Sequence, residues 1–107
     1  MSDIKNGNAS SDVVQERWRQ IDEENHAPAA DDRYTDFQLG KAAAAYLGHA
    51  IVKDKTRASN AAREFPPGIW PWDPQWWKPR DRRSDLVRAA ALIIAEIERL
   101  DRAAAKP

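Results

Sequence analysis

The chain has 107 residues, of which 17 are basic and 17 are acidic, and it contains no cysteine. This length allows one domain. The charge balance argues against general nucleic-acid binding, and the absence of cysteine excludes disulfides and thiolate metal sites. Nineteen residues are alanine, so the core is small and we expect helix faces to be buried in a homo-oligomer. No run is apolar enough to span a bilayer, and we expect a soluble, intracellular protein.

Residues 1–10 are polar and without periodicity, which predicts a disordered N-terminal arm before a single helical domain over residues 11–107. A first helix is expected to begin at Asp12, with Gln15 completing a capping-box pattern, and to fade near Asn25. One apolar stripe marks the face of this helix that is expected to pack on the core: Val14, Trp18 and Ile21. The segment 26–34 that follows is predicted to be a loop.

A second helix is predicted after Thr35, which forms another capping-box pattern with Gln38. Its apolar face consists of Leu39, Ala43, Tyr46, Leu47 and Ala50. A second face has almost no side chains: Gly40, Ala44 and Gly48. Because glycine weakens a helix, this bare strip indicates close approach of another helix or of a ligand. Residues 53–64 either extend the second helix or form a short helix of their own.

The last helix has the clearest pattern. Ser84 is a suitable N-cap with Asp85 in the first turn. A 4-3-4-3-4 spacing, typical of a seam that pairs with another helix, connects Leu86, Ala90, Ile93, Ile97, Leu100 and Ala104. A second apolar row is formed by Val87, Ala91 and Ile94. No segment has a strand pattern, so we predict an all-α domain of three or four helices, homo-oligomeric, with a Pro/Trp-rich loop before the last long helix.

That loop, residues 65–80, holds four of the five tryptophans and five of the seven prolines. Proline at this density is incompatible with a helix or an ordinary strand, so the indoles are not periodic core residues. They either cover the open end of the core or form a stacking surface for a ligand, and both roles can hold together. Because Pro71 separates Trp70 from Trp72, we expect one indole to point inward and the other outward.

A basic run follows at the start of the last helix, where free N–H groups and the helix dipole favour anions. Lys78, Arg80, Arg82 and Arg83 form this run. The alternative is that they pair with the interspersed carboxylates Asp73, Asp81 and Asp85. Stacking indoles beside arginines suit a phosphorylated, flat molecule. The predicted ligand-binding residues are Trp70, Trp72, Trp76, Trp77, Lys78, Arg80, Arg82, Arg83 and Arg88.

The carboxylates do not form a metal site in the sequence. All-α nucleoside triphosphate pyrophosphohydrolases hold magnesium with E-x-x-E on one helix and E-x-x-D on another. This chain has one E-x-x-D, Glu98 with Asp101, whereas Glu16 is followed three residues later by Arg19. No catalytic triad, Walker loop or zinc pattern occurs. We therefore predict a protein without catalytic residues, metal or cofactor, and keep a degenerate pyrophosphohydrolase as the third hypothesis.

Several blocks of the chain resemble a family of small, functionally unassigned proteins of tailed bacteriophages and prophages. They are E-R-W-R-Q at 16–20, D-D-R-Y at 31–34, A-A-A-A-Y at 42–46, W-P-W at 70–72, W-W-K-P at 76–79 and A-E-I-E-R-L-D-R at 95–102. The resemblance implies a phage or prophage origin and a setting in the host cytoplasm. It names no activity, but phages encode small helical oligomers that sequester nucleotide immune signals, which by analogy favours nucleotide binding.

Two hypotheses of function follow. The first is a non-enzymatic, homo-oligomeric protein that binds a phosphorylated, base-containing small molecule, in its most concrete form a counter-defence sponge for a host immune signal. The second is a protein-interaction module that docks its Trp/Pro loop on a host or phage protein. Binding of nucleotides to the purified protein separates them.

Overall fold

The computed structural model describes residues 8–23, 28–61 and 66–106. Within these ranges the chain is helical and has no strand, which confirms the predicted all-α class, although the described residues form five helices where three or four were predicted. The helices are α1 (Ala9–Glu23), α2 (Pro28–Asp31), α3 (Gln38–Ala50), α4 (Asp54–Ala61) and α5 (Arg82–Ala105), and the Trp/Pro loop contains one 3-10 turn, Pro74–Trp76. Among the described helices none combines the length and the apolar character that crossing a membrane requires.

The element boundaries refine several predictions. Residues 53–64 hold a short helix of their own, α4, whose following residues 62–65 lie outside the described part. The predicted loop at 26–34 includes the single turn α2, and residues 24–27 are not described. Residues 1–7 of the predicted arm are likewise outside the described part, whereas Ala9 and Ser10 open α1.

The core lies between α3 and α5. Its α3 side is Leu39, Ala42, Ala43, Ala45 and Tyr46, and its α5 side is Ala89, Leu92 and Ala95. Alanines dominate this contact, so the two backbones approach closely and a small set of side chains fills the space. The predicted apolar face of the second helix is confirmed, except that Leu47 is exposed.

The first helix packs in the opposite sense to the prediction. Its buried residues are polar or charged (Asp12, Glu16, Arg17 and Gln20), whereas Val14 and Trp18 expose 50% and 61% of their surface. Distant partners of opposite charge explain this orientation, because they stabilise the buried charges. Asp12 Oδ2 accepts a 2.6 Å hydrogen bond from Arg83, and Arg17 contacts Asp31 at 3.3 Å and Glu98 at 3.1 Å.

The helix starts differ from the predicted caps. Asn8, not Asp12, caps α1, because its Oδ1 accepts from the backbone N–H of Ser11 at 3.0 Å. The residue before α3 is Phe37, in the left-handed region at φ 63°, and not Thr35. Asp81 caps α5, three residues before the predicted Ser84, and accepts from the Ser84 backbone N–H at 2.8 Å and hydroxyl at 2.9 Å.

We expect Asp81→Ala to lower the free energy of unfolding by about 1 kcal/mol, the usual effect of losing an N-cap. The Ser84 hydrogen bonds hold the pKa of Asp81 below its ordinary value of 3.8. The stabilisation is therefore complete above that pH and is lost as the pH falls through the lowered pKa. Urea denaturation at neutral and acidic pH measures both effects, and Asp81→Ser, which retains a capping oxygen, is the control. A loss in Asp81→Ser equal to that in Asp81→Ala would contradict the capping role.

Candidate functional site

Tyr46 of α3 is the centre of an aromatic cluster formed with the Trp/Pro loop. Trp70 meets the Tyr46 ring edge-on at 5.5 Å, and Trp77 lies 4.7 Å from it on centroids. The indole N–H of Trp70 donates to the carbonyl of Asp73 at 3.2 Å, so the loop closes on itself around this side chain. Trp70 is 9% exposed and belongs to the core. This half of the loop covers the open end of the helical core, as one of the two predicted roles requires.

The expected divergence of Trp70 and Trp72 is wrong. The two rings stand perpendicular at 5.4 Å, and both pack against the core, with Tyr34 a further 5.3 Å from Trp72. The indole that points outward is Trp76, which is 51% exposed and carries the Lys78 ammonium 5.6 Å above its ring. The 3-10 turn at Pro74–Trp76 turns this side chain away from the cluster, which the proline spacing alone does not show.

A cavity of about 410 Å³ opens beside the cluster, between the Trp/Pro loop, the end of α1, the segment after α2, and α5. Its walls are aromatic and aliphatic: Tyr34, Tyr46, Trp70, Trp72, Trp76 and Leu92. Its polar lining is formed by Gln20, Glu23, Arg33, Asp73 and Arg88. Two arginines and two carboxylates give this lining no net formal charge. The cavity can therefore hold a flat, largely apolar body with a small number of polar contacts at its edge.

The two arginines of the cavity differ in what already holds them. Arg88 donates to the carbonyl of Lys78 and to the Tyr46 hydroxyl, and its Nε lies 4.0 Å from Glu16. Arg33 is exposed, donates to the Tyr34 hydroxyl at 2.8 Å and lies over the same ring at 4.8 Å. Within the described ranges Arg33 has no carboxylate partner. It is therefore the cation of the lining that can turn to an incoming anion at least cost.

The predicted basic run does not converge on this cavity. Arg82 contacts Asp54 at 2.6 Å and donates to two backbone carbonyls at the C-terminal end of α3 and just beyond it, and Arg83 contacts Asp12 at 2.6 Å. The predicted alternative named the neighbouring carboxylates Asp73, Asp81 and Asp85, whereas these two contacts are made with Asp54 and Asp12. Both partners are distant in sequence, and the side chain of Asp81 accepts from the backbone N–H of Ser84 in the first turn of α5. The run fixes α5 to α4 and α1.

Of the predicted ligand-binding residues, the cavity brings together Trp70, Trp72, Trp76 and Arg88. It does not include Trp77, Lys78, Arg80, Arg82 and Arg83. Sequence reasoning did not select Gln20, Glu23, Arg33 and Tyr34, which also line it. For Arg33 and Tyr34 the nearest signal was the D-D-R-Y block, in which they follow the turn α2 and its buried last residue, Asp31.

Trp77 lies on the other side of the loop, edge-on to His49 at 5.9 Å. Burial lowers the pKa of His49 below 6.5, assisted by Arg57 and opposed in part by Asp85, so the imidazole is neutral at neutral pH. The adjacent cleft of about 560 Å³ includes Ala44 and Gly48 of the bare strip. A Cβ added at Gly48 would meet no atom within 4 Å, so the described chain places no helix against the strip.

The carboxylates do not assemble a metal site in the part of the chain that the structure describes, where no group of three or more His, Asp or Glu could hold an ion. Glu98 of the E-x-x-D pair is engaged by Arg17 at 3.1 Å. Neither a protein-family model, nor a curated protein, nor a solved structure matches the chain. A function for this protein is therefore inferred from the cavity and the residues that line it.

Proposed function

We propose that the protein binds, without catalysing a reaction, a small flat ligand of nucleotide type in the aromatic cavity. The observation that carries this proposal is the meeting of five aromatic side chains and an exposed guanidinium around a cavity of about 410 Å³. That volume lies within the range of roughly 300–1,000 Å³ that small-molecule sites occupy. The half-exposed Trp76 supplies a ring face on which a base can stack.

The charge of the lining limits the number of phosphates. Stacking on an aromatic ring contributes roughly 1–3 kcal/mol, and Arg33 supplies one guanidinium for a phosphate. Glu23 and Asp73 lie on the same lining and oppose a dense negative charge. The cavity therefore favours a ligand with one phosphate or with phosphodiesters, such as a mononucleotide or a cyclic nucleotide, over a triphosphate.

The phage resemblance gives this proposal a setting. A small binding protein without catalytic residues acts by lowering the free concentration of its ligand. If the protein is expressed during infection, a host nucleotide signal is the ligand whose removal would benefit the phage. The counter-defence role therefore depends on the ligand that the cavity selects, and it is tested through that selection.

The test is a titration followed by tryptophan fluorescence and melting temperature. The panel contains nucleosides, mononucleotides, triphosphates, cyclic dinucleotides and isomers of cyclic ADP-ribose. We expect saturable quenching by a monophosphate or phosphodiester, and a loss of affinity of about 5- to 150-fold in Trp76→Ala, equivalent to one stacking contact. Arg33→Ala should weaken the phosphorylated ligand more than its nucleoside.

Trp18→Ala is the matched control, because Trp18 is an exposed indole of α1 that does not line the cavity. It should leave the affinity unchanged while removing a similar fluorescence background. Absence of quenching and of thermal stabilisation with every member of the panel would refute nucleotide binding.

The second candidate is a protein-interaction module that acts through the Trp/Pro loop. The specific observation in its favour is that Ile69 and Trp76 of this loop expose about half of their surface. A protein partner would bury both side chains, whereas a cavity ligand needs only Trp76. Ile69→Ser therefore distinguishes the two, since it should leave nucleotide affinity unchanged and should impair docking on a protein.

A further inference from the structure

One hydrogen-bond acceptor in the wall of the aromatic cavity has no donor. Gln20 of α1 lines the cavity and is only 3% exposed. Within the described ranges its side-chain oxygen, Oε1, accepts no hydrogen bond. A buried acceptor that has given up water without gaining a protein donor destabilises the folded state, so such atoms are few in native proteins. The cavity is the open space beside Gln20 from which a donor can approach.

The neighbours of Gln20 determine which end of its amide is left for a ligand. Its Nε2 donates to Glu16 Oε2 at 3.1 Å and to the carbonyl of Arg88 at 3.5 Å. Both partners are acceptors, so an amide turned by half a rotation would place Oε1 against two oxygens and lose both bonds. Glu16 is itself held by Arg19, which donates to it at 2.6 Å and 2.7 Å. The nitrogen end is therefore bound to the protein, and the oxygen end remains.

We propose that Gln20 Oε1 selects ligands whose base carries an exocyclic amino group. This inference rests on the proposed nucleotide binding and adds the chemical group of the base that the cavity recognises. Because Oε1 is buried, it lies behind the surface of the wall. An amino group projects from the ring and can reach such an acceptor, whereas a ring N–H is flanked by the substituents of the ring. The terminal torsion of glutamine is soft, so a small rotation toward the cavity costs little.

The other residue that α1 contributes to the cavity is also an acceptor. Glu23 lies three positions after Gln20, on the same face of the helix, and presents a carboxylate. The guanidinium groups of the lining belong to Arg33, after α2, and Arg88, on α5. These cations suit the phosphate and carbonyl oxygens of a ligand. The α1 wall is thus the part of the cavity that favours a donor, and adenine, guanine and cytosine carry an amino donor whereas hypoxanthine and uracil do not.

Pairs of nucleotides that differ by one amino group test this selectivity on the unchanged protein. The mononucleotide pairs are guanosine and inosine monophosphate, adenosine and purine riboside monophosphate, and cytidine and pyrimidin-2-one riboside monophosphate. Cyclic di-guanosine and cyclic di-inosine monophosphate form the phosphodiester pair. In the pair that binds most tightly, we expect loss of the amino group to weaken binding by about 5- to 150-fold, the equivalent of roughly 1–3 kcal/mol for a buried acceptor that lacks its donor.

Gln20→Met assigns the preference to its residue, because methionine has a similar length and no strong acceptor. We expect the difference within the pair to fall to less than about twofold, the error expected when two changes are uncoupled. Glu16 keeps both bonds from Arg19, so the melting temperature without ligand should show a folded variant. Gln15→Met is the matched control, since Gln15 is an exposed residue of the same helix outside the cavity. It should preserve the full difference.

The outcomes separate the role of Gln20 from the proposed function. Equal affinity for both members of every pair would overturn the role of Gln20 and leave nucleotide binding intact. An amino preference that persists in Gln20→Met would also overturn it, because another group would then be the acceptor. If Gln20→Met does not fold, the pairs measured on the unchanged protein still decide whether the amino group is selected. Absence of binding by every nucleotide would refute the proposed function and the selectivity together.

Discussion

Asp85→Ala should lower the free energy of unfolding by about 3–5 kcal/mol, the effect of removing one partner from a buried charge pair. Asp85 has no exposed surface. Its Oδ1 accepts from the backbone N–H of Arg80 at 2.7 Å, and its Oδ2 contacts the guanidinium of Arg57 at 3.3 Å. Arg57 also donates to the carbonyls of His49 and Arg80 at 2.8 Å, so this one carboxylate joins α4, α5 and the end of the Trp/Pro loop.

Two control variants are needed. One tests whether the loss of stability comes from the charge of Asp85, and the other tests whether it depends on burial of the ion pair. Asp85→Asn retains an acceptor for the Arg80 N–H and should lose less stability than Asp85→Ala. Asp54→Ala removes the same type of partner from Arg82, but Asp54 is 97% exposed, so its loss should leave the urea midpoint within experimental error. A midpoint shift in Asp54→Ala as large as that in Asp85→Ala would contradict the role assigned to burial.

The faces of α3 were predictable because the information is local. Leu39, Ala43 and Tyr46 recur at helical spacing and are all buried. The irregular path of the Trp/Pro loop was likewise predictable, since proline restricts the backbone wherever it occurs. These two predictions place the aromatic cluster at the end of the α3–α5 core.

The orientation of α1 was not predictable from its own residues. The apolar stripe of Val14 and Trp18 has the spacing of a core-facing surface, yet Asp12 and Glu16 face inward. The reason lies 71 residues away, in the pairing of Asp12 with Arg83. The spacing of apolar residues along one helix predicts that the face they form will be covered. It does not predict whether another segment of the same chain or a separate molecule covers it. The outer side of α5 shows the same limit, because Leu86, Ile93 and Ile97 keep the predicted seam spacing and yet remain 40–51% exposed.

Half of the candidate site was beyond sequence reasoning for a related reason. The three tryptophans of the cavity were recognised by composition, whereas Arg33 and Tyr34 reach the cavity because α2 lies against α5. The N-cap of α5 also bears on the anion site that was predicted at the start of this helix. Because Asp81 caps α5, the carboxylate satisfies the helix start where a phosphate was expected. A capping residue and an anion compete for the same N–H groups.

Trp70→Ala should lower the free energy of unfolding by about 3–5 kcal/mol, the range for large aromatic truncations in a core. Its ring contacts those of Tyr46, Trp72 and Trp77 within 5.5 Å, so truncation leaves a void where three aromatic side chains meet. Trp70→Phe, which keeps most of the ring volume but loses the hydrogen bond to Asp73, should lose distinctly less. Urea denaturation followed by circular dichroism measures each variant without relying on the substituted fluorophore.

Trp76→Ala is the companion measurement, because Trp76 belongs to the same loop but is half exposed and not part of the core. We expect it to change the free energy of unfolding by less than about 1 kcal/mol while weakening the ligand. If the two tryptophans respond in this opposite way, the loop divides into a packing half around Trp70 and a binding half around Trp76. Equal destabilisation by both substitutions would show that the whole loop serves packing, and the cavity would then lose its stacking surface as an argument for ligand binding.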